Sequence, residues 1–273
     1  MLEKVTDTAR ELLLFKSETT TIPYAKEVAN YFGICVPQEL RSDFGFWASV
    51  LHFEMRYLSL DFYLEKNDSP AVLELSSGFS LRGLEYVRKN PGKIYFDTDL
   101  QSIMNVKMDI LQHLDSPIPN TLKFQELDVF KLDNNRIEEC ELLIVNEGLL
   151  MYYTETEQCR ILKSIYSVLE KNGGTWVTAD VYIKHETGEV GSDKDQKWER
   201  FFKSKNVNEN YFDSFDQAEQ FFYDNGFIIE DKYEPEFEKF SSLAHLLGVA
   251  SAEQIELLRN KGNVQQTWKL KVR

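Results

Sequence analysis

Residues 71–183 alternate short apolar runs with longer amphipathic stretches, and this alternation constrains the fold more than any other feature of the chain. The apolar runs are AVLEL (71–75), KIYFDTD (93–99), LKFQELDV (122–129), ELLIVNE (141–147) and TWVTADVYI (175–183). Helical patterns over 80–90, 100–114 and 156–172 lie between them. Strands that alternate with helices in this way predict a mostly parallel sheet with helices on both faces.

The segments on either side of this run predict the rest of the fold. Helical patterns before it predict an amino-terminal cap over residues 1–65, within the same domain as residues 66–273. The polar stretch at about 184–215 predicts an exposed insertion, and FIIEDKYE (227–234) and TWKLKV (267–272) predict two further strands. We therefore expect a Rossmann-like α/β sheet of seven strands with an antiparallel edge strand.

Composition argues against several functional classes. A formal net charge of -14 repels phosphate backbones and anionic membrane surfaces, so neither nucleic acid nor a membrane is expected as a partner. The three cysteines, Cys35, Cys140 and Cys159, form no CxxC pair, which argues against structural zinc and disulfides, and no metal is expected. The apolar run near the amino terminus is too short for a signal peptide, so a cytoplasmic location is expected. Monomer and homodimer both remain open.

Acidic side chains stand where the predicted strands end. The first strand leads from Glu74 into Ser76-Ser77-Gly78, where one glycine lets the backbone approach a ligand. The second strand ends at Asp99, the third at Asp128-Val129 and the fourth at Glu147. Because ligands bind at the carboxyl ends of strands in an open parallel sheet, these side chains are predicted to line one site.

This pattern favours one ligand over its common competitor. A carboxylate at Asp99 suits two ribose hydroxyls, and Asp128-Val129 offers an acceptor and an apolar wall to an adenine ring. A loop with one glycine and no following Lys-Ser/Thr is neither a dinucleotide fingerprint nor a phosphate loop. A site lined by carboxylates suits the ammonium, sulfonium and ribose groups of S-adenosylmethionine (SAM) and repels the pyrophosphate of NAD. SAM is therefore the predicted cofactor and S-adenosylhomocysteine (SAH) its product, with a nicotinamide oxidoreductase as the alternative.

Four motifs carry a resemblance to a known family. AVLELSSGFSLRGLEYV, IYFDTDL, ELDVF and NEGLLMYYTETE resemble the leucine carboxyl methyltransferases, a family of class I SAM-dependent enzymes. The closer likeness is to its bacterial branch, which includes O-methyltransferases of polyketide biosynthesis. The resemblance covers about residues 45–183, and NEGLLMYY is its most specific element. The chain departs from the family at Ser76-Ser77-Gly78, where Gly-Ala-Gly is usual.

The resemblance implies a set of cofactor-binding residues: Lys16, Arg56, Glu74, Gly78, Asp99, Asp128, Val129 and Glu147. Arg56 would pair with the methionine carboxylate, a task that suits the two-pronged guanidinium. Glu147 would hold the methionyl amino group, and Lys16 would be a basic cap residue near the cofactor.

The expected activity is O-methylation of a hydroxyl or carboxylate on a small molecule. Aromatic side chains of the cap (Tyr24, Trp47, Phe53 and Tyr57) are expected to close over a flat or apolar acceptor. Two readings remain beside this one: a protein carboxyl terminus as the acceptor, and a pseudoenzyme that binds cofactor and serves as an interaction module.

A carboxylate acceptor needs no general base, whereas a phenol or alcohol benefits from one. The sequence offers two candidates. His185 follows the fifth predicted strand, and Tyr152 follows the fourth and could face the methyl-transfer centre.

Overall fold

The computed structural model describes residues 2–134, 140–184 and 207–273. Its strands are β1 (Ala71–Leu75), β2 (Ile94–Asp99), β3 (Leu122–Glu126), β4 (Leu142–Asn146), β5 (Gly174–Tyr182), β6 (Phe227–Lys232) and β7 (Gln265–Val272). They form a seven-stranded sheet in the order β3-β2-β1-β4-β5-β7-β6. The α/β fold class predicted from the alternating pattern is confirmed.

The sheet is parallel from β1 through β5. Strand β7 runs antiparallel to both of its neighbours, β5 and β6. The sequence places the antiparallel strand at the edge, and this detail is wrong, because β7 pairs on both sides and leaves β6 as the outer strand.

The helices are α1 (Leu2–Lys16), α2 (Ala25–Tyr31), α3 (Phe44–Glu65), α4 (Arg82–Lys89), α5 (Gln101–His113), α6 (Glu155–Asn172), α7 (Phe215–Asp224), α8 (Leu243–Val249) and α9 (Ala252–Lys261). They cover both faces of the sheet. Successive side chains of each strand point to opposite faces and so pack against different helices. Leu73 of β1 packs into the core that contains α6 and α7, whereas its neighbour Val72 packs into the core that contains α1 to α5. Among the described helices, none has both the length and the apolar character needed to cross a membrane.

Helix α3 contributes to two separate parts of the interior. Its carboxyl-terminal half, including Leu60 and Leu64, packs against the sheet with Val72. Its amino-terminal half packs with Phe15 of α1 and Leu246 of α8. The division into a cap over 1–65 and a domain over 66–273 stays a prediction.

The predicted insertion lies largely outside the described residues, since the structure describes only 184 and 207–215 of it. Its described end returns to the sheet, where the amide of Phe212 donates to the carbonyl of Tyr182 at 3.0 Å.

Candidate functional site

A cavity of about 570 Å3 lies where β1, β2 and β4 end. The loops after β1 to β4 form one side of it, and α1 with the connection 17–24 forms the opposite side. The residues that the resemblance implied for the cofactor all line it: Lys16, Arg56, Glu74, Gly78, Asp99, Asp128, Val129 and Glu147. Segments that lie far apart in the sequence therefore meet in one place.

A buried ion pair supports the loop after β1. Lys107 and Asp97 are fully buried and lie 2.6 Å apart. The hydroxyl of Ser77 donates to Asp97 at 2.5 Å and accepts from Lys107 at 2.9 Å. Ser76 and Gly78 both adopt left-handed backbone, with φ of 53° and 56°. For Ser76 this conformation costs on the order of 1 kcal/mol, so the loop keeps a glycine-type shape without the first glycine.

Asp99 presents a fixed carboxylate to the cavity. One oxygen accepts from the amide of Gly78 at 2.8 Å and the other from the amide of Leu100 at 2.7 Å. Burial raises the pKa of Asp99, although these two amides act in the opposite direction. Since each carboxylate oxygen has two lone pairs, both can still accept a bond from a bound hydroxyl.

The segment after β3 continues this side of the cavity. The Asp128 carboxylate is 43% exposed and accepts from the amide of Phe130 at 3.0 Å. Val129 is buried, and so is Leu127, whose amide donates to the carbonyl of Asp99 at 3.0 Å. Leu127 lines the cavity beside Val129. We call this part, formed by Gly78, Asp99, Leu127, Asp128 and Val129, the acid end.

At the opposite end Glu147 is surrounded by cations. One oxygen accepts from Lys16 at 2.7 Å and from Arg56 at 3.1 Å, and the other accepts from Arg82 at 3.0 Å. Burial alone would raise the pKa of Glu147, but these three charges outweigh it and hold the pKa well below its usual range. We call this part, formed by Lys16, Arg56, Arg82 and Glu147, the cation end. A role for Glu147 toward an amino group stays a prediction, and both of its oxygens already have partners.

Arg82 is a residue of the site that the sequence did not reveal. Besides Glu147, its guanidinium donates to Asp61 at 2.9 Å, to Glu74 at 2.7 Å and to the carbonyl of Tyr57 at 3.2 Å. It therefore joins α3, α4, β1 and the end of β4. A signal was available, because Arg82 lies in the first turn of a helix directly after the glycine loop.

The cavity is consequently not the acidic pocket that the strand ends predict. The three cations that offset its acids come from α1, α3 and α4, outside the strand exits from which the prediction was made. These cations offset the predicted repulsion between the lining carboxylates and a pyrophosphate.

A second missed residue shapes the turn that carries Glu147. Asp180 of β5 accepts from the amides of Gly148, Leu149 and Leu150 at 2.6, 2.7 and 3.0 Å. Three donors on one buried carboxylate fix the backbone of the NEGLLMYY motif. An aspartate inside the apolar run TWVTADVYI was the available signal.

Arg56 is also held from behind. Its Nη1 donates to the hydroxyl of Tyr182 at 3.0 Å, and that hydroxyl shares a 2.9 Å hydrogen bond with His52 Nε2. The guanidinium is buried and therefore has a defined orientation toward the cavity.

Of the two general-base candidates, the structure places one. Tyr152 lines the cavity, and burial raises its pKa to about 12, so it is protonated near neutral pH. His185 lies outside the described residues. Across the part of the chain that is described, no group of three or more His, Cys, Asp or Glu side chains is arranged to hold a metal ion.

The predicted aromatic cap divides into two sets. Tyr24 and Tyr57 line the cavity. Trp47 and Phe53 do not, and this part of the prediction is wrong, because they pack in the cluster that contains Phe15. The amino-terminal half of α3 is apolar on the side that meets α1 and α8, and this contact buries both rings.

The wall over the cavity is the connection 17–24, which contributes Ile22, Pro23 and Tyr24. It is fastened by Glu54, which has no exposed surface. Glu54 accepts from the hydroxyl of Thr21 at 2.5 Å and from the amides of Ser241 and Ser242 at 2.8 and 2.9 Å. One carboxylate thus joins the wall, α3 and the segment that precedes α8.

No protein-family model matches the chain, and no curated protein matches its sequence. Solved structures do match. The mitomycin 7-O-methyltransferase MmcR has a TM-score of 0.51 at 10% identity over 82% of this chain and 55% of its own. Magnesium protoporphyrin IX methyltransferase from Synechocystis PCC 6803, solved with SAH, has a TM-score of 0.49 at 11% identity over 82% and 84% of the two chains. Human N-acetylserotonin methyltransferase, solved with SAM, has 0.47 at 14% over 82% and 52%.

At such low identity, the likeness to the mitomycin enzyme shows a shared fold. The chain has the Rossmann-like α/β fold of that methyltransferase and spans about half of its length.

Proposed function

We propose that the chain is a SAM-dependent O-methyltransferase of small molecules. The observation that carries this proposal is the division of one cavity into an acid end and a cation end. SAM has a matching division, with a ribose and an adenine on one side of its sulfur and an amino acid on the other.

The acid end suits the nucleoside. Asp99 is fixed by two backbone amides and can accept from two neighbouring hydroxyls. Leu127 and Val129 provide an apolar surface for a flat ring, and Asp128 stands beside them as an acceptor for an amino group. A cavity of about 570 Å3 also falls within the range of roughly 300–1,000 Å3 that is usual for sites of drug-sized ligands.

The cation end suits the carboxylate of the amino acid. Lys16, Arg56 and Arg82 bring N–H donors to the cavity beside Glu74 and Glu147, and Arg82 also pairs with Asp61, which does not line it. When bound, SAM supplies a methyl group on a positively charged sulfur. The residues of the chain position the two reactants and exclude water, which is the main contribution that a protein makes to such a transfer.

We further propose that the chain is related to the leucine carboxyl methyltransferase family, in its bacterial O-methyltransferase branch. The meeting of all eight implied residues in one cavity supports this relationship. The wall formed by Ile22, Pro23 and Tyr24 favours a small acceptor, with a hydroxyl or carboxylate oxygen, over a protein carboxyl terminus.

Calorimetric titration with SAH tests the cofactor. We expect binding by the wild type and an affinity about 100-fold lower for Asp99→Ala, because two hydrogen bonds to a charged group are lost. The matched control is Asp109→Ala, which removes an exposed carboxylate from α5 and should leave the affinity unchanged. Binding of NAD in place of SAH would overturn the proposal.

Methyl transfer is tested by release of SAH from SAM in the presence of a panel of phenols, alcohols and carboxylic acids. Turnover of a panel member, lost in Asp99→Ala and retained in Asp109→Ala, is the expected result. Binding of SAH without turnover, together with capture of a folded protein partner that depends on Asp99, would favour the pseudoenzyme instead.

A further inference from the structure

The ion pair between Lys107 and Asp97 is fully buried, and neither residue lines the cavity. Lys107 Nζ donates to the two oxygens of Asp97 at 2.6 and 2.7 Å and to the hydroxyl of Ser77 at 2.9 Å. An ammonium carries three protons, so each of them has an acceptor. Because the loss of hydration offsets most of the attraction between two buried charges, stabilisation alone is a weak reason for such a pair.

Ser77 connects this ion pair to the cavity. Its hydroxyl donates to Asp97 at 2.5 Å and accepts from Lys107, so both of its hydrogen-bonding roles are assigned. The same residue lines the cavity. The amide of the following Gly78 donates to the carboxylate of Asp99 at 2.8 Å. A displacement of Ser77 would therefore move a backbone donor that orients Asp99.

The loop needs an anchor because of Ser76. This residue has a φ of 53°, in the left-handed region that glycine adopts readily and serine does not. A non-glycine residue keeps such a conformation only where the surrounding structure fixes it. Strain at the lower end of the usual range would favour a relaxed loop by about fivefold if nothing held it.

We propose that Ser77 is a positioning residue, through which the Lys107–Asp97 pair holds the loop in the shape that binds the cofactor. The pair thereby permits Ser76 at a position where the family that the motifs resemble usually has glycine. The inference rests on the proposed function, because the ligand that Asp99 holds is taken to be SAM or SAH. Without the hydroxyl, only a fraction of the molecules would have this loop shape before binding, and the apparent affinity would fall in proportion.

The hydroxyl can be removed while both charges stay paired. Lys107→Met would leave Asp97 as a lone buried charge and destabilise the whole fold, whereas Ser77→Ala keeps the ion pair. Calorimetric titration of Ser77→Ala with SAH should show an affinity about fivefold lower than that of the wild type. Ser59→Ala is the matched control and should bind SAH like the wild type, because it removes a buried hydroxyl that bonds to Thr267 outside the cavity.

Rescue by glycine separates positioning from a purely structural role. In the double variant Ser76→Gly/Ser77→Ala, the backbone at residue 76 no longer favours a relaxed loop, so the SAH affinity should return to within about twofold of the wild type. Ser76→Gly alone should bind SAH as tightly as the wild type, because the anchor is intact. A general loss of stability caused by Ser77→Ala would not be repaired at the neighbouring position.

The amide of Gly78 gives a second measurement that needs no ligand. Because this amide donates to Asp99, its protection factor in hydrogen exchange depends on the shape of the loop. We expect the protection factor of Gly78 to be about fivefold lower in Ser77→Ala and to recover in the double variant.

Each outcome decides a different point. If the wild type binds SAH and Ser77→Ala binds it equally well, the proposal for Ser77 fails and the proposed function stands. A lowered affinity that Ser76→Gly does not restore also overturns the proposal, because the hydroxyl would then act by another route. If the wild type does not bind SAH, the proposed function fails, and the protection factor of Gly78 still decides whether Ser77 holds the loop. Thermal unfolding verifies that each variant is folded.

Discussion

The two ends of the cavity use their carboxylates in opposite ways. At the acid end Asp99 accepts two backbone amides and Asp128 is partly exposed, so both retain the capacity to bind something else. At the cation end Glu147 is engaged by Lys16, Arg56 and Arg82. The first arrangement presents acceptors to a ligand, whereas the second organises three cations. A substitution at the acid end should therefore affect mainly ligand binding, whereas a substitution at the cation end should affect mainly the stability of the fold.

The largest effect is expected for Glu147→Gln. Removing this charge leaves three buried cations without their shared partner, and breaking buried pairs of this kind costs about 3–5 kcal/mol. Urea unfolding measures the free-energy change. The control Glu85→Gln breaks a partly exposed pair with Lys89 and should cost less than about 0.5 kcal/mol. A loss for Glu147→Gln no larger than that of the control would contradict the view that Glu147 organises this end.

The acid end should respond in the opposite manner. Asp128→Ala is expected to weaken SAH binding about tenfold, because an acceptor is lost, and to lower the free energy of unfolding by less than about 1 kcal/mol. Calorimetry and urea unfolding of the same preparation separate the two quantities. A variant that is strongly destabilised but binds SAH normally would reverse the comparison.

Lowering the pH should measure the contribution of Glu147 to stability in a second way. Its pKa in the folded protein is depressed, so its stabilising contribution is fully present above the unfolded value of about 4.3 and is lost as pH falls toward the folded value. Between pH 6 and pH 3, wild type should lose about 1–2 kcal/mol more than Glu147→Gln. Urea unfolding across this range measures the difference, and parallel pH profiles for the two proteins would refute the prediction.

The smallest effect is expected for Tyr182, a hydrogen-bond partner of Arg56. Tyr182→Phe removes the hydroxyl to which Arg56 donates, which should cost about 1 kcal/mol of stability and about threefold in SAH affinity. Tyr223→Phe alters a tyrosine that is 46% exposed and serves as the control. Unchanged affinity in Tyr182→Phe would mean that burial alone orients Arg56.

The fold and the acid end follow from local patterns. Strand β1 occupies the run AVLEL, and Asp99 stands at a strand exit that the parallel topology brings to the cavity. Such features can be read in sequence because each depends on residues that are neighbours in the chain. The alternation of strands and helices does not specify where the last strand pairs, and in the structure β7 lies between β5 and β6.

The cation end could be predicted only in part. Lys16 and Arg56 were reached through a family resemblance, and Arg82 was missed, although it has more partners in the site than either. Its partners come from α3, β1 and the end of β4, and no periodicity links these positions. Trp47 and Phe53 were misplaced for a related reason, since an apolar helix face does not reveal which neighbour will cover it.

The hydrogen bonds of Glu54 predict how amide protons outside the cavity exchange with solvent. Glu54 holds the wall through Thr21 and, at the same time, accepts from the amides of Ser241 and Ser242. Because Glu54 is hydrogen-bonded to both, a ligand that stabilises the wall is expected to stabilise the segment around Ser241 as well. The amide protons of Ser241 and Ser242 should therefore exchange with deuterium more slowly in the presence of SAH, although neither residue lines the cavity. The exchange rate of these two amide protons, in the last quarter of the chain, would then indicate whether the cavity at the strand ends is occupied.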